Sequence, residues 1–198
     1  MSSAVHLLVF DGFADWEPAL ALAELRRSGG LEVVTVGFTA APVRSMGGIR
    51  VLPDLALAAV DPARVRLLLL PGGELWEAEY PREELEALLG RLEGAGTPIA
   101  AICGATLALA RAGLLDDRAH TSNDPAYLKR ATTYRGADRY VDTLAVRDRG
   151  IITASGLGAT EFAREVFDEL GVFSDEDRRL WYHVFKHGRF PQPSVQSS

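Results

Sequence analysis

The chain has one cysteine, Cys103, placed where a buried apolar run meets small residues, Ala100-Ala101-Ile102-Cys103-Gly104-Ala105. Small neighbours are what a tight strand-to-helix turn requires, because bulky side chains clash across it, and a thiol presented on such an elbow can act as a nucleophile. A helix start adds unpaired backbone N–H groups and the positive end of the dipole, both of which favour thiolate. The N–H of Gly104 can hold a developing oxyanion. Pro71-Gly72-Gly73-Glu74 lacks Cβ atoms at its centre, which lets the Gly73 N–H approach the same point. The plainer alternative for Cys103 is a small buried hydrophobe, the commonest state of a free cysteine.

The elements that must position these residues are legible as runs. Residues 5–10 (VHLLVF), 31–36 (LEVVTV), 65–70 (VRLLLL), 98–102 (PIAAI) and 151–154 (IITA) are short and nearly continuously apolar. That pattern predicts strands of a parallel sheet covered on both faces. Between them lie helical spacings. Asp15 is placed to cap a helix with Pro18 in its first turn and Ala19, Leu22, Ala23 and Leu25 on one face, stopped at Gly29-Gly30. Leu85, Leu88, Leu89 and Leu92 form a second face, and 106–112, 162–170 and 180–185 supply three more. The order β–α–β–α–β–α–β predicts a doubly wound α/β sandwich. Two segments interrupt it: 43–52, where Met46-Gly47-Gly48 turns a hairpin, and 140–147, expected to pair with Ile151-Ile152 across Asp148-Arg149-Gly150. Residues 1–190 are read as one domain and 191–198 as a flexible tail. In open parallel sheets the ligand lies beyond the carboxyl ends of the strands, where Cys103 and Gly72-Gly73 stand.

Composition narrows the partners. A chain of 198 residues, 47% hydrophobic, can bury one sizeable core. The net charge is −6 and the basic residues are scattered, which argues against nucleic acid or an anionic membrane surface. One cysteine excludes an intramolecular disulfide and a cysteine-based zinc cage. His183 and His187, four apart, have no obvious third ligand, so no metal is expected. Gly156-Leu157-Gly158 lacks the third glycine of the dinucleotide fingerprint, and no cofactor is expected. Trp16, Trp76 and Trp181 read as packing or interface residues. No run approaches the ~18 apolar residues of a membrane span, and 4–10 lacks a basic flank, so a cytoplasmic, reducing setting is expected.

Taken in order, Gly12-Phe13-Ala14-Asp15-Trp16-Glu17, Pro71-Gly72-Gly73, Ala101-Ile102-Cys103-Gly104-Ala105, Thr121-Ser122-Asn123-Asp124-Pro125, Ile151-Ile152-Thr153-Ala154-Ser155-Gly156 and Glu161-Phe162-Ala163 resemble the DJ-1/ThiJ/PfpI superfamily. That superfamily is related to class I glutamine amidotransferases, and the bacterial YoaZ-like and YdeA-like branch is the one this chain looks most like. The resemblance implies a flavodoxin-like three-layer sandwich with a mostly parallel central sheet and helices on both faces. It also implies a homodimer, Cys103 as the reactive residue, and Glu17 as a protonated acid that reaches the sulfur. A carboxyl brought against a thiolate in a partly buried pocket has its pKa raised, which agrees with that role.

Two departures from the family pattern matter. Peptidase members carry histidine directly after the cysteine, where this chain has Gly104. Glyoxalase-like members keep a general-base histidine after a Thr-Thr or Thr-Ser pair, where Thr121-Ser122 is followed by Asn123, and an amide takes no proton at neutral pH. His120 lies three residues earlier and, in an extended segment, on the opposite face, so only a rearranged loop brings it to the site. His120, Asn123 and Asp124 are therefore auxiliary candidates, Asp124 being equally a helix-start residue. Glu74 and Glu77, following the Gly-Gly turn, are placed to edge the pocket or a dimer contact.

The leading reading is a cysteine-dependent enzyme acting on a small carbonyl or amide electrophile, of hydrolase, amidase or glyoxalase/deglycase type. Gly73 and Gly104 would hold the oxyanion and Glu17 would manage the sulfur proton. The alternative is an oxidative-stress protein in which Cys103 senses or absorbs oxidation. A glutaminase subunit is weaker, because Ser155-Gly156 stands where its late His-x-Glu belongs.

Overall fold

Almost every side chain in the central apolar runs is buried on both faces, and this makes them the middle of one sheet. A computed structural model describes residues 3–190, so the tail expected at 191–198 lies outside the described residues. In chain order the elements are β1 (Ala4–Val9), α1 (Trp16–Arg27), β2 (Val33–Gly37), β3 (Val43–Arg44), β4 (Arg50–Val51), β5 (Leu55–Ala56), β6 (Val65–Leu70), α2 (Arg82–Gly94), β7 (Ile99–Ile102), α3 (Thr106–Arg111), α4 (Pro125–Leu128), β8 (Ala145–Asp148), β9 (Ile151–Ala154), α5 (Ala159–Leu170) and α6 (Asp175–His187). The sheet runs β5-β2-β1-β6-β7-β9-β8, parallel throughout except where β8 meets β9. Helices pack around it, giving the three-layer, flavodoxin-like sandwich. α1 lies against α5, α5 lies over β7, β8 and β9 and carries α6, and α2 packs on β7. Leu85, Leu88, Leu89 and Leu92 of α2 are buried, each contributing about 1.5–3 kcal/mol by removal from water.

The hairpin expected at 43–52 forms between β3 and β4, and β5 with two short 3-10 turns completes the connection from β2 to β6, where Pro42, Pro53, Pro62 and Gly47-Gly48 break any helical run. Two other expectations need correction. Of 140–147, only Ala145–Asp148 joins β9, while Tyr140 forms an isolated bridge with His120. Asp15 does not cap α1. It accepts a 2.5 Å hydrogen bond from the Ser45 hydroxyl instead, and so straps the hairpin to the loop after β1. That strap is continued by Gly12 N–H to Arg44 O (2.7 Å), Met46 N–H to Phe13 O (2.9 Å) and Arg44 N–H to Asp11 Oδ1 (2.8 Å).

On the other side of the same loop, Ala14 N–H donates to Gly72 O (2.9 Å). The Pro71-Gly72-Gly73 turn is fixed in its own right by Trp76, fully buried, edge-on to Phe10 and Tyr80, and donating its indole N–H to Pro71 O at 2.8 Å. Trp181 is likewise buried, its indole N–H reaching Glu24 at 3.2 Å.

Candidate functional site

Cys103 follows the last residue of β7 and opens a single 3-10 turn that runs into α3. Its φ is +59°, the left-handed region, which costs a non-glycine residue about 1–2 kcal/mol. The chain therefore turns sharply enough to present the half-buried thiol at the carboxyl end of the sheet. Thr106 steadies the turn by donating its hydroxyl to Cys103 O at 2.7 Å.

Glu17 reaches this point from the first turn of α1. Its side chain is almost wholly buried, Oε2 accepts the Gly72 N–H at 2.6 Å, and the carboxyl lies beside the Cys103 thiol, both of them against Gly72 and Gly156. Burial lifts the Glu17 pKa to about 7, against the opposing pull of the Gly72 N–H and the thiol. Burial also pushes the Cys103 thiol above its usual range. The Asn123 amide and the Gly104 N–H draw it down, while the neighbouring Glu17 raises it further. The expected bias toward thiolate from a helix start is thus outweighed: only one 3-10 turn and a six-residue helix follow, and desolvation is the larger effect.

Two glycines wrap the Cys103–Glu17 pair. A Cβ at Gly72 would lie 2.7 Å from both Cys103 Cβ and Glu17 Oε2, and one at Gly156 would lie 3.0 Å from Cys103 Sγ and 3.2 Å from Glu17 Oε1. Gly72 has no left-handed φ, so space alone excludes a side chain there. Gly72→Ala is accordingly expected to cost about 1–3 kcal/mol by urea denaturation and to slow alkylation of Cys103 by iodoacetamide. An unchanged alkylation rate would show that the pair is not held as described.

The two amides proposed for an oxyanion are nearby. Gly73 adopts φ +155°, where a Cβ would meet the Phe10 ring at 2.6 Å, and among the described residues its N–H has no acceptor. Gly104 is fenced by Trp76, Gly73 O and the Tyr127 hydroxyl, all within 3.0–3.2 Å of an added Cβ. This crowding gives a physical reason why no histidine stands after the cysteine.

The auxiliary candidates separate. His120 is fully buried, with Nδ1 bonded to Arg118 O (2.8 Å), Nε2 to the Tyr134 hydroxyl (2.7 Å), and its ring edge-on to Tyr134 and Tyr140. Both nitrogens are committed away from the thiol, so the structure does not bring His120 into the site. Asp124 caps α4, accepting the Ala126 N–H at 2.6 Å ahead of Pro125, and is a helix-start residue. Asn123 does face the thiol: its Nδ2 lies 3.2 Å from Cys103 Sγ.

The pocket over the sulfur holds about 190 Å³ and is walled by Trp16, Met46, Glu74, Glu77 and Tyr127 together with the site residues. Glu77 is paired with Arg130 at 2.7 Å. Sequence reading missed Tyr127, Met46 and the wrapping role of Gly156. Met46 sits in a segment that reads as a hairpin turn, and Gly156 in a motif of the family resemblance that gives it no contact with the sulfur. Tyr127 gave no signal. Among the described residues no three metal-binding side chains cluster, and no helix is long and apolar enough to cross a membrane.

Comparison with known proteins places this geometry. The model of the DJ-1/PfpI family matches residues 3–169. The Bacillus subtilis protein named "Uncharacterized protease YoaZ" is 38% identical over 190 residues, covering 92% of this chain and 90% of its own length. The Caenorhabditis elegans protein named "Glutathione-independent glyoxalase DJR-1.2" is 29% identical over 143 residues, covering 72% and 75%. The crystal structure of the DJ-1 superfamily protein Atu0886 from Agrobacterium tumefaciens superposes with a TM-score of 0.88 at 36% identity, over 94% of this chain and all of that one.

Proposed function

This chain belongs to the DJ-1/PfpI family, and from that premise we propose that it is a cysteine-dependent enzyme acting on a small carbonyl or amide electrophile through Cys103. The observation that carries the reading is a strained elbow thiol paired with a buried carboxyl and opening into a pocket of about 190 Å³. That volume is below the ~300–1,000 Å³ of ordinary ligand pockets and suits a substrate of a few carbons rather than a polypeptide.

The chemistry follows from the residues. The thiol proton passes to the Glu17 carboxylate, whose pKa of about 7 lets it both accept and return a proton near neutrality. The sulfur pair forms an S–C bond to the carbonyl carbon, and the electrons of the C=O bond move to oxygen. The N–H groups of Gly73 and Gly104 stabilise that oxyanion, and Glu17 returns the proton to it or to a leaving group. The relative named a glyoxalase supports a carbonyl substrate, and the relative named a protease supports an amide. The reading also carries a homodimer and a cytoplasmic setting; Trp16, Met46, Ile49 and Leu52 expose apolar surface at the start of α1 and on the hairpin.

One observation favours a second reading, oxidation of Cys103 as the function. The donors around the sulfur, Asn123 Nδ2, the Gly104 N–H and a protonated Glu17, suit a sulfenate or sulfinate oxygen. A single assay series separates the two. Purified protein is expected to consume methylglyoxal catalytically: in the hemithioacetal the former aldehyde hydrogen moves to the neighbouring carbonyl carbon, oxidising one carbon and reducing the other, and water cleaves the resulting thioester to release a 2-hydroxy acid and the free thiol. Turnover of neither methylglyoxal nor small primary amides, with ready conversion of Cys103 to sulfinate by dilute peroxide, would instead establish the second reading.

A further inference from the structure

We propose that Asn123 assists the ionisation of Cys103 by holding its sulfur with a donor that has no proton equilibrium of its own; the role rests on Cys103 being the reactive group.

The geometry fixes which end of the amide meets the sulfur. A primary amide has an acceptor end and a donor end, and the partner of one decides the direction of the other. Asn123 Oδ1 accepts the Gly156 N–H at 2.8 Å, with the Ser155 hydroxyl further away at 3.5 Å. A backbone N–H cannot face the NH2 end productively, so Nδ2 is the end left for Cys103 Sγ, 3.2 Å away. The side chain is exposed, yet both of its ends are committed, and a solvent-facing amide with no task is not held in this way. It also lines both the thiol pocket and a neighbouring groove bounded by Asp124, Tyr140 and Asp142.

The remaining titratable groups around the thiol are few. Glu17 comes from α1, Tyr127 from α4 and Glu74 and Glu77 from the turn after β6, Glu77 being neutralised by Arg130. Burial pushes Tyr127 to about 12, so it stays neutral across the working range. Among the described residues no histidine or lysine lines the thiol pocket. Apart from backbone N–H groups, the Asn123 amide is thus the group lining this pocket that stabilises negative charge on sulfur, while Glu17 opposes it. A histidine in this place would lend that stabilisation only while protonated; the amide lends it at every pH.

The test is the pH dependence of Cys103 alkylation by iodoacetamide, followed by intact mass, for which a chain with one cysteine is well suited. In that step the thiol proton leaves to Glu17 or water, the sulfur pair forms the S–C bond and iodide departs. A hydrogen bond to a charged group is worth about one pH unit or more, so Asn123→Ala is expected to move the midpoint upward by that amount and to slow alkylation at pH 7 about tenfold. Asn123→Asp keeps an acceptor for the Gly156 N–H but turns a negative oxygen on the sulfur, and its midpoint is expected higher still. Coincident profiles for all three proteins would overturn the role. A wild-type profile in Asn123→Asp would do so too, because the side chain would then matter only as a tie to Gly156. Alkylation needs no turnover: a shifted profile without methylglyoxal consumption sinks only the proposed activity, and turnover with an unshifted profile sinks only this role.

Discussion

Cys103→Ser is expected to lower methylglyoxal turnover by roughly 10³-fold or more, to the rate of the buffer blank, while the protein melts at nearly the same temperature as the wild type. Serine is close in volume and can occupy the same φ of +59°, so the turn and the wrapping by Gly72 and Gly156 persist. What is lost is the polarisable, ionisable sulfur. A hydroxyl has no base nearby strong enough to activate it, since Glu17 titrates at about 7 and the imidazole of His120 is committed to Arg118 O and the Tyr134 hydroxyl. Steady-state kinetics with a thermal melt on the same preparation checks both halves. Retained turnover in the serine variant would remove Cys103 from the mechanism.

Glu17→Gln carries the second large effect, on stability as a function of pH. The carboxyl has a folded pKa of about 7 against an ordinary value of 4.5, so the native state holds the proton more tightly than the unfolded chain. Below about 4.5 both states are protonated and the wild type has its full stability. As pH rises to about 7 the unfolded chain releases its proton first, and up to about 3 kcal/mol of stability is lost and not regained above that. Glutamine accepts the Gly72 N–H and cannot ionise, so the variant lacks this loss. In urea denaturation the difference in stability, variant minus wild type, is expected to grow between pH 4.5 and 7 and then level off. A flat difference across that window would mean that Glu17 is not the buried acid described here. The same variant is expected to lose turnover, because its side chain can neither take nor return the thiol proton.

Much of this arrangement is legible in the chain itself, for physical reasons. Parallel strands covered on both faces must be continuously apolar, so 65–70 and 151–154 coincide with β6 and β9. The elbow shows itself because its tightness demands small residues on either side of the cysteine. What escaped reading depends on contacts between distant segments. Asp15 has the composition of a cap, but a serine thirty positions later competes for its oxygen and wins. The ionisation of Cys103 follows from burial and from Asn123 and Glu17, none of which local sequence reports. Gly156 looks like a fragment of a nucleotide motif until the fold sets its missing Cβ against the sulfur. His120 and Asn123 differ in fate because distant tyrosines enclose one in an aromatic cage while the other reaches the thiol.

The strap between the hairpin and the loop after β1 ties together two properties that many enzymes keep apart. Met46, on the hairpin, forms part of the pocket mouth, and Glu17 stands two residues beyond Asp15, where the strap is made fast. The opposite side of that loop is pinned to Gly72, whose own N–H binds the Glu17 carboxyl. Entrance shape and acid placement therefore belong to one mechanical unit. A substitution that loosens the strap is thus expected to disturb the pocket mouth and the acid together, and under the proposed activity to change substrate size and proton transfer at once.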